Sequence, residues 1–149
     1  MARRRFILDT NCYVDASRDG RAALELEEFS AAAAPQIYLS AVVASELRAG
    51  AGAHGRRLER ELIGPFKRRE RIVTPTGAAW AALGNTLAAL RAREGLQLKN
   101  VPRSFILDIL LAYSCRESGA VLITRNIDDM RRITRAFRFD FTAPYPSVS

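Results

Sequence analysis

The sequence has little of what a disulfide framework or a membrane span requires. Its 149 residues include two cysteines and one histidine, and no apolar run approaches the ~20 residues of a membrane-spanning helix. No leader with a long apolar stretch opens the chain. Cys12 and Cys115 fall in apolar segments with helical character, which is typical of reduced core thiols. We therefore expect one domain covering residues 1–149, located in the cytoplasm, with no membrane association.

Acidic residues are the minority among the charged side chains. Asp and Glu number 16 against 23 Lys and Arg, so the formal net charge is +7. The arginines concentrate at 3–5, 67–71 and 131–138. Such a field attracts a polyanion, although an arginine-rich surface that only keeps the protein in solution is equally compatible with it. The charge favours a nucleic acid partner without establishing one.

The chain alternates short apolar strands with helical segments. Strands are predicted at 6–8, 36–39, 71–74, 120–124 and 137–141, and helices at 21–33, 41–49, 54–62, 78–93, 105–117 and from 126 onward. Ser40 and Ser104 are candidate N-caps, and Trp80 belongs to a helical stripe that we expect in the core. Because parallel neighbours need a crossover, this order predicts an α/β domain with a mainly parallel sheet.

Three carboxylates interrupt apolar segments. Asp9 ends the first strand, Glu46 follows a run of small apolar residues, and Asp108 lies inside an apolar helix. A buried carboxylate must be paired, protonated or bound to a cation, although each one alone could also cap or complement a helix. Ligands of parallel sheets bind at the carboxyl ends of the strands. The simplest common explanation is a shared divalent metal ion.

Three blocks of sequence carry a resemblance to a known family. They are 6–11 (FILDTN), 39–50 (LSAVVASELRAG) and Asp108 followed by 120–129 (AVLITRNIDD). In this order they resemble PIN-domain ribonucleases, and more narrowly the VapC-type toxins of bacterial toxin-antitoxin pairs. The stretch 51–104 carries no motif and matches only in its helical character.

The resemblance implies a single PIN-like domain with a metal-dependent ribonuclease site. Its catalytic and metal-binding carboxylates would be Asp9, Glu46, Asp108 and Asp129, holding Mg²⁺ or Mn²⁺. Asn126 stands where some relatives have aspartate, and Asp128 is a further alternative for the fourth position. Oxygen ligands from Asp and Glu suit these hard cations.

Polar residues beside the carboxylates are predicted to position the substrate. Thr10 and Asn11 would orient the first carboxylate and a bound water, while Thr124, Arg125 and Asn126 would position the scissile phosphate. The resemblance also implies an RNA substrate, a cognate antitoxin whose C-terminal segment blocks the site, and a homodimer.

Three other functions fit parts of the pattern. A PIN-type RNA-processing nuclease without an antitoxin would have the same site, and a non-catalytic RNA-binding module would share the fold. Haloacid-dehalogenase-like phosphatases also place an aspartate after the first strand, but they resemble Asp-x-Asp where this chain has Asp9, Thr10 and Asn11. Since the second aspartate is missing and the main acidic positions are all filled, the nuclease is the favoured function.

Overall fold

A five-stranded parallel sheet forms the centre of the protein. The structure is a computed structural model that describes residues 3–148; residues 1, 2 and 149, which the single-domain prediction also covers, lie outside the described residues. The strands are β1 (Arg5–Leu8), β2 (Ile37–Ser40), β3 (Ile72–Val73), β4 (Ala120–Ile123) and β5 (Asp140–Thr142). Their spatial order is β3-β2-β1-β4-β5, and all neighbours run parallel. The predicted α/β class with a parallel sheet is confirmed.

Helices connect the strands and cover both faces of the sheet. They are α1 (Thr10–Arg18), α2 (Gly20–Ala33), α3 (Ala41–Gly50), α4 (Gly55–Leu58), α5 (Gly64–Arg68), α6 (Gly77–Glu94), α7 (Arg103–Ser118) and α8 (Ile127–Thr134). Short 3₁₀ turns lie at Ala34–Gln36, Gly52–His54 and Leu98–Asn100, and one π-helical stretch at Glu59–Ile63. No helix within residues 3–148 is long and apolar enough to cross a membrane.

Side-chain caps start the helices that leave the carboxyl ends of β1 and β2. The Asp9 carboxylate accepts a hydrogen bond from the backbone N–H of Thr10, and the Ser40 hydroxyl accepts one from that of Val42. At the start of β4, Gly119 adopts a left-handed φ of 65° and ends α7. A glycine suits this position because a Cβ would strain the left-handed conformation.

The two faces of the sheet bury two separate apolar clusters. Ile7, Leu39 and Leu122 point to a large cluster with α3, α6, α7 and α8. The alternate strand residues pack with Cys12 and Phe29, from α1 and α2, on the opposite face. Side chains of successive strand residues alternate between faces, so central strands that are covered on both sides are apolar throughout.

Two local predictions about helices were wrong. Trp80 does not lie in the core: its side chain is 59% exposed, while Leu83 and Leu90 of the same helix are buried. Ser104 is not the N-cap of α7, because the helix begins at Arg103 with Pro102 in the cap position and no side-chain cap. Since α7 starts earlier than predicted, Asp108 lies in its second turn rather than its first.

Candidate active site

The carboxyl ends of three adjacent strands converge on one polar cluster. Asp9 follows β1, Thr124 follows β4, and Ser40 at the end of β2 starts the helix that carries Glu46. Asp108 reaches the same place from α7. This edge of a parallel sheet is where such folds bind ligands.

Asp9 is the most fully engaged carboxylate of the cluster, with 4% of its surface exposed. The backbone N–H of Thr10 donates to Oδ1 at 2.7 Å. The hydroxyl of Thr124 donates to Oδ2 at 2.7 Å, and the amide of Asn11 donates to the same oxygen at 3.3 Å. Burial raises the pKa of Asp9, while the bonds from Thr124 and Thr10 act in the opposite direction. These donors fix the carboxylate at the end of β1.

Glu46 joins the cluster through Thr10. The Thr10 hydroxyl donates to Oε1 of Glu46 at 2.9 Å, and the Thr10 backbone N–H donates to Asp9. Thr10 therefore contacts both acidic side chains. Partial burial raises the pKa of Glu46; the Thr10 hydrogen bond lowers it, and the charge of Asp9 raises it further. Thr10 therefore links the first and second carboxylates; that it also orients a bound water stays a prediction.

Asn126 bridges the other two carboxylates. Its Nδ2 group donates to Asp108 Oδ2 at 3.0 Å and to Asp129 Oδ2 at 3.1 Å. The backbone N–H of Asn126 donates to the Thr124 hydroxyl at 3.0 Å, which ties this turn to the Asp9 network. Asp128 is exposed. Of the three residues considered for the fourth position, Asp129 supplies the carboxylate and Asn126 an amide between two carboxylates.

The four carboxylates lie close enough to perturb one another. The pKa of Asp108 is raised to about 8, first by burial and then by the negative charges of Asp9, Glu46 and Asp129. The Asn126 hydrogen bond opposes this only partly. No Lys, Arg or His within residues 3–148 forms an ion pair with any of the four. The cluster is therefore an excess of negative charge with no protein cation to offset it.

The chemistry of this donor set fits a hard divalent cation. The acidic side chains offer carboxylate oxygens, which Mg²⁺ and Mn²⁺ prefer, and a cation would relieve the repulsion around Asp108. Within the described residues, however, no three His, Cys, Asp or Glu side chains are already arranged to hold a metal ion. A bound metal would thus require the carboxylates to move closer together, while Thr10 and Asn126 keep them within one cluster.

Arg125 lies beside the cluster, but its side chain is turned to another partner. Its Nε atom contacts Asp15 Oδ2 at 2.7 Å, and its backbone N–H donates to Asn11 Oδ1 at 3.2 Å. That Arg125 positions the scissile phosphate stays a prediction. Asp15 was not predicted from the sequence; its position on α1, four residues after Asn11 and so on the same helix face, was the available signal.

A groove of about 660 Å³ runs away from Glu46 along α1, α3 and the segment 54–62. Leu47, Leu58 and Leu62 contribute apolar surface. Arg18 and Arg57 contribute positive charge, and Glu46 and Glu61 contribute negative charge; Arg57 pairs with Glu61 at 2.8 Å. His54 also lines this groove and is exposed. The groove gives the acidic cluster an open approach of mixed charge.

Several solved structures share this fold over nearly the whole chain. DNA-bound VapBC from Salmonella typhimurium aligns with a TM-score of 0.67 and 22% identity, over 94% of this chain and 98% of that one. FitAcB from Neisseria gonorrhoeae aligns at 0.66 and 17%, over 91% and 95%. VapBC-1 from nontypeable Haemophilus influenzae aligns at 0.61 and 22%, over 93% and 96%. No curated protein matches the sequence.

The family assignment rests on the sequence profile as well as on the shared fold. The profile of the PIN domain matches residues 6–136, which include most of β1, the carboxylate cluster and α8. PIN domains are nucleases and generally use divalent metal ions. This match confirms the family that the three sequence blocks resemble, and the chain belongs to the PIN domain family.

Proposed function

We propose that this protein is a metal-dependent endoribonuclease that acts as the toxin of a toxin-antitoxin pair in the cytoplasm. The observation that carries the proposal is the cluster of Asp9, Glu46, Asp108 and Asp129, which lies at the carboxyl edge of the sheet without a cationic partner. A purely structural group of four carboxylates would be paired with arginine or lysine, because burying unpaired charge is unfavourable. The sequence has such cations in excess, and none of those in the described part of the chain forms an ion pair with the four carboxylates.

The four carboxylates would hold Mg²⁺ or Mn²⁺ and leave part of the ion open to a phosphate. A bound ion of this kind supplies an activated water and stabilises the charge that develops on the phosphoryl oxygens. Thr10 hydrogen-bonds to both Asp9 and Glu46 and holds them side by side, and Thr124 fixes the second oxygen of Asp9. Without metal, Asp108 carries a proton near neutral pH because its pKa is about 8. Metal binding would release that proton.

A cognate antitoxin would bind in the groove beside Glu46. The groove combines an apolar lining, from Leu47 and Leu58, with the basic side chain of Arg18 and the ion pair of Arg57 with Glu61. An amphipathic segment with acidic residues complements such a surface. A segment of this kind would pass over Glu46 and close the approach to the carboxylates. A PIN-type nuclease that processes RNA without an antitoxin would make no use of this complementarity.

A homodimer is the remaining part of the proposal and rests on the resemblance to VapC-type toxins. Sedimentation equilibrium of the purified protein, with and without its antitoxin, measures the mass of the assembly directly. A chain of 16.5 kDa that stays monomeric at micromolar concentration would remove this part and leave the nuclease site unaffected.

The proposed activity is tested by cleavage of total cellular RNA with the purified protein. Reactions contain Mg²⁺, Mn²⁺ or EDTA, and the same reactions are run with Asp108→Asn and Asp128→Asn. Asp128 is the matched control because it is an aspartate near the site that is exposed. We expect discrete fragments that need metal, that persist with Asp128→Asn and that disappear with Asp108→Asn.

Two results would contradict the proposed function. Cleavage that survives Asp108→Asn would show that the carboxylate cluster is not the active site. A folded wild-type protein that binds Mn²⁺ but cuts none of several RNA pools would favour a non-catalytic RNA-binding module. The antitoxin is tested separately: coexpression with the product of an adjacent small reading frame should give a stable complex that suppresses cleavage.

A further inference from the structure

A second, smaller hollow lies on the other side of α1, at the corner where α1 meets α2. Its volume is about 310 Å³, and Arg125 forms the wall nearest to the carboxylate cluster. The remaining charged lining comes from Asp15, Arg18, Asp19, Arg21 and Glu25. The metal-dependent reaction proposed above assigns no role to this hollow, which we call the corner pocket.

Hydrogen bonds connect the corner pocket directly to the carboxylate cluster. The backbone N–H of Arg125 donates to Asn11 Oδ1 at 3.2 Å, and Nδ2 of the same asparagine donates to Asp9 Oδ2 at 3.3 Å. Arg125 also lies between Thr124 and Asn126, both of which contact the acidic side chains. A nucleotide bound in the corner pocket would therefore be the neighbour of a phosphate held at the cluster.

The Arg125 guanidinium pairs with Asp15 and keeps its outer edge free. Asp15 Oδ2 lies 2.7 Å from Nε in a partly exposed ion pair, and neither Nη group donates a hydrogen bond to the protein within residues 3–148. A guanidinium is planar, so its two Nη groups form a fork of parallel donors. The ion pair keeps the guanidinium at the corner pocket and leaves this fork available to a ligand.

Most of the charge in the corner pocket is already neutralised. Arg125 pairs with Asp15, and Arg21 pairs with Glu25 at 3.4 Å. The Asp19 carboxylate accepts a hydrogen bond from the backbone N–H of Ala22, at the start of α2. A pocket with three carboxylates and three guanidinium groups carries no net positive charge to attract a phosphate. Its hydrogen-bonding groups suit a neutral ligand that has both donors and acceptors.

We propose that the corner pocket reads a guanine base of the RNA nucleotide next to the scissile phosphate, with Arg125 as the base-reading residue and Asp15 as the residue that positions it. The inference rests on the proposed ribonuclease function. A bidentate arginine pairs with O6 and N7 of guanine, and a carboxylate accepts hydrogen bonds from donors on a base edge. Proteins commonly read single-stranded RNA through bases that are unstacked and turned toward the protein. Arg125 thereby selects the cleavage site rather than holding the phosphate that is cut.

The test measures kcat/KM on short single-stranded RNAs that differ only in the nucleotides flanking the cut. We expect the wild-type protein to favour guanine at one flanking position. Arg125→Lys keeps the positive charge and removes the planar fork, so it should lower the preference for guanine over adenine by about ten-fold or more while cleavage of the adenine substrate continues. Asp15→Asn should lower the same ratio without changing the affinity for Mn²⁺ measured by calorimetry.

Glu59→Gln is the matched control. This substitution breaks the surface ion pair between Glu59 and Arg48, which lies outside the corner pocket. The side chains of Arg48 and Glu59 are 49% and 48% exposed, similar to the 39% and 42% of Arg125 and Asp15. We expect this variant to retain the preference of the wild-type protein. A change equal to that of Asp15→Asn would attribute the effect to a lost surface ion pair and overturn the inference.

The remaining outcomes separate the inference from the function on which it rests. If Arg125→Ala slows cleavage of every sequence equally while Arg125→Lys restores it, then Arg125 contacts phosphate and the base-reading role is wrong. If the wild-type protein cleaves RNA with no guanine preference at any flanking position, the inference fails and the ribonuclease stands. If the wild-type protein cleaves none of these RNAs under any metal condition, the proposed function fails and the inference falls with it.

Discussion

Replacing Asp108 by asparagine should stabilise the metal-free protein. Asparagine has almost the same shape as the carboxyl group and retains an oxygen that can accept the hydrogen bond from Asn126. It removes a charge that burial disfavours and that Asp9, Glu46 and Asp129 also repel. A residue that binds metal in the active state is then a source of instability when no metal is present.

The magnitude follows from the pKa of Asp108. Raising this pKa from 3.8 to about 8 corresponds to at most about 6 kcal/mol of unfavourable free energy when the carboxyl is ionised. The neighbouring carboxylates share the repulsion and the site relaxes, so we expect a gain of ~1–3 kcal/mol in the free energy of unfolding. For a domain of this size that gain raises the Tm by roughly 3–9 °C.

The gain should depend on pH in a defined direction. The folded pKa of Asp108 lies above its unfolded value, so the folded state retains a proton that the unfolded chain releases. This contribution to stability is complete below about pH 4 and is lost as the pH rises toward 8. The advantage of Asp108→Asn over the wild-type protein should therefore be absent near pH 4, grow up to pH 8 and remain constant above it.

Thermal unfolding in EDTA and in excess Mn²⁺, followed by circular dichroism from pH 5 to 9, measures this effect. In EDTA at pH 8 the variant should unfold at the higher temperature. In Mn²⁺ at 100 times its Kd the wild-type protein should gain about 2.7 kcal/mol and the variant less. Asp128→Asn should behave as the wild type in both. If the variant is equally or less stable than the wild type at pH 8 in EDTA, then the charge of Asp108 does not destabilise the metal-free protein and the reasoning is wrong.

Further predictions concern the metal site and the helices. The affinity for Mn²⁺, measured by calorimetry, should rise with pH up to about 8 and then level off, because metal competes with the proton on Asp108. Asn126→Ala should weaken that affinity about ten-fold, since it frees two of the carboxylates; an unchanged Kd would contradict its bridging role. Gly119→Ala should lower the free energy of unfolding in urea by about 1 kcal/mol, because the residue has a φ of 65°, while nothing lies within 4 Å of the added Cβ. Trp80→Ala should change stability by less than about 0.5 kcal/mol, whereas Leu90→Ala should lower it by ~2–5 kcal/mol; a large effect of the tryptophan change on the monomer would contradict its exposure.

The local elements were predictable because their signals are local. The apolar run before Asp9 predicted β1, and Ser40 predicted the start of α3. Periodicity and capping depend on residues within a few positions of one another, so the sequence contains them directly. The misplaced start of α7 at Ser104 has the same origin, since two plausible caps lie two residues apart.

The candidate site was predictable in part because its carboxylates lie in apolar stretches of the sequence. Asp9 and Asp108 stand in apolar segments, where an unpaired charge is unfavourable, and that conflict singled them out before any distance was known. Their arrangement needed the fold. Only the tertiary structure shows that Thr10 contacts Glu46, 36 positions along the chain, and that no basic residue within 3–148 forms an ion pair with the four carboxylates.

The sequence by itself thus determined the strands, the parallel α/β class and the residues that place charge in the core. Tertiary structure decided the contacts between groups far apart in the chain: the Asn126 bridge between Asp108 and Asp129, and the turn of Arg125 toward Asp15. It also decided that Trp80 faces solvent, because burial depends on which elements cover a helix as well as on its own pattern. Periodicity states which residues share a face, and only packing determines what that face meets.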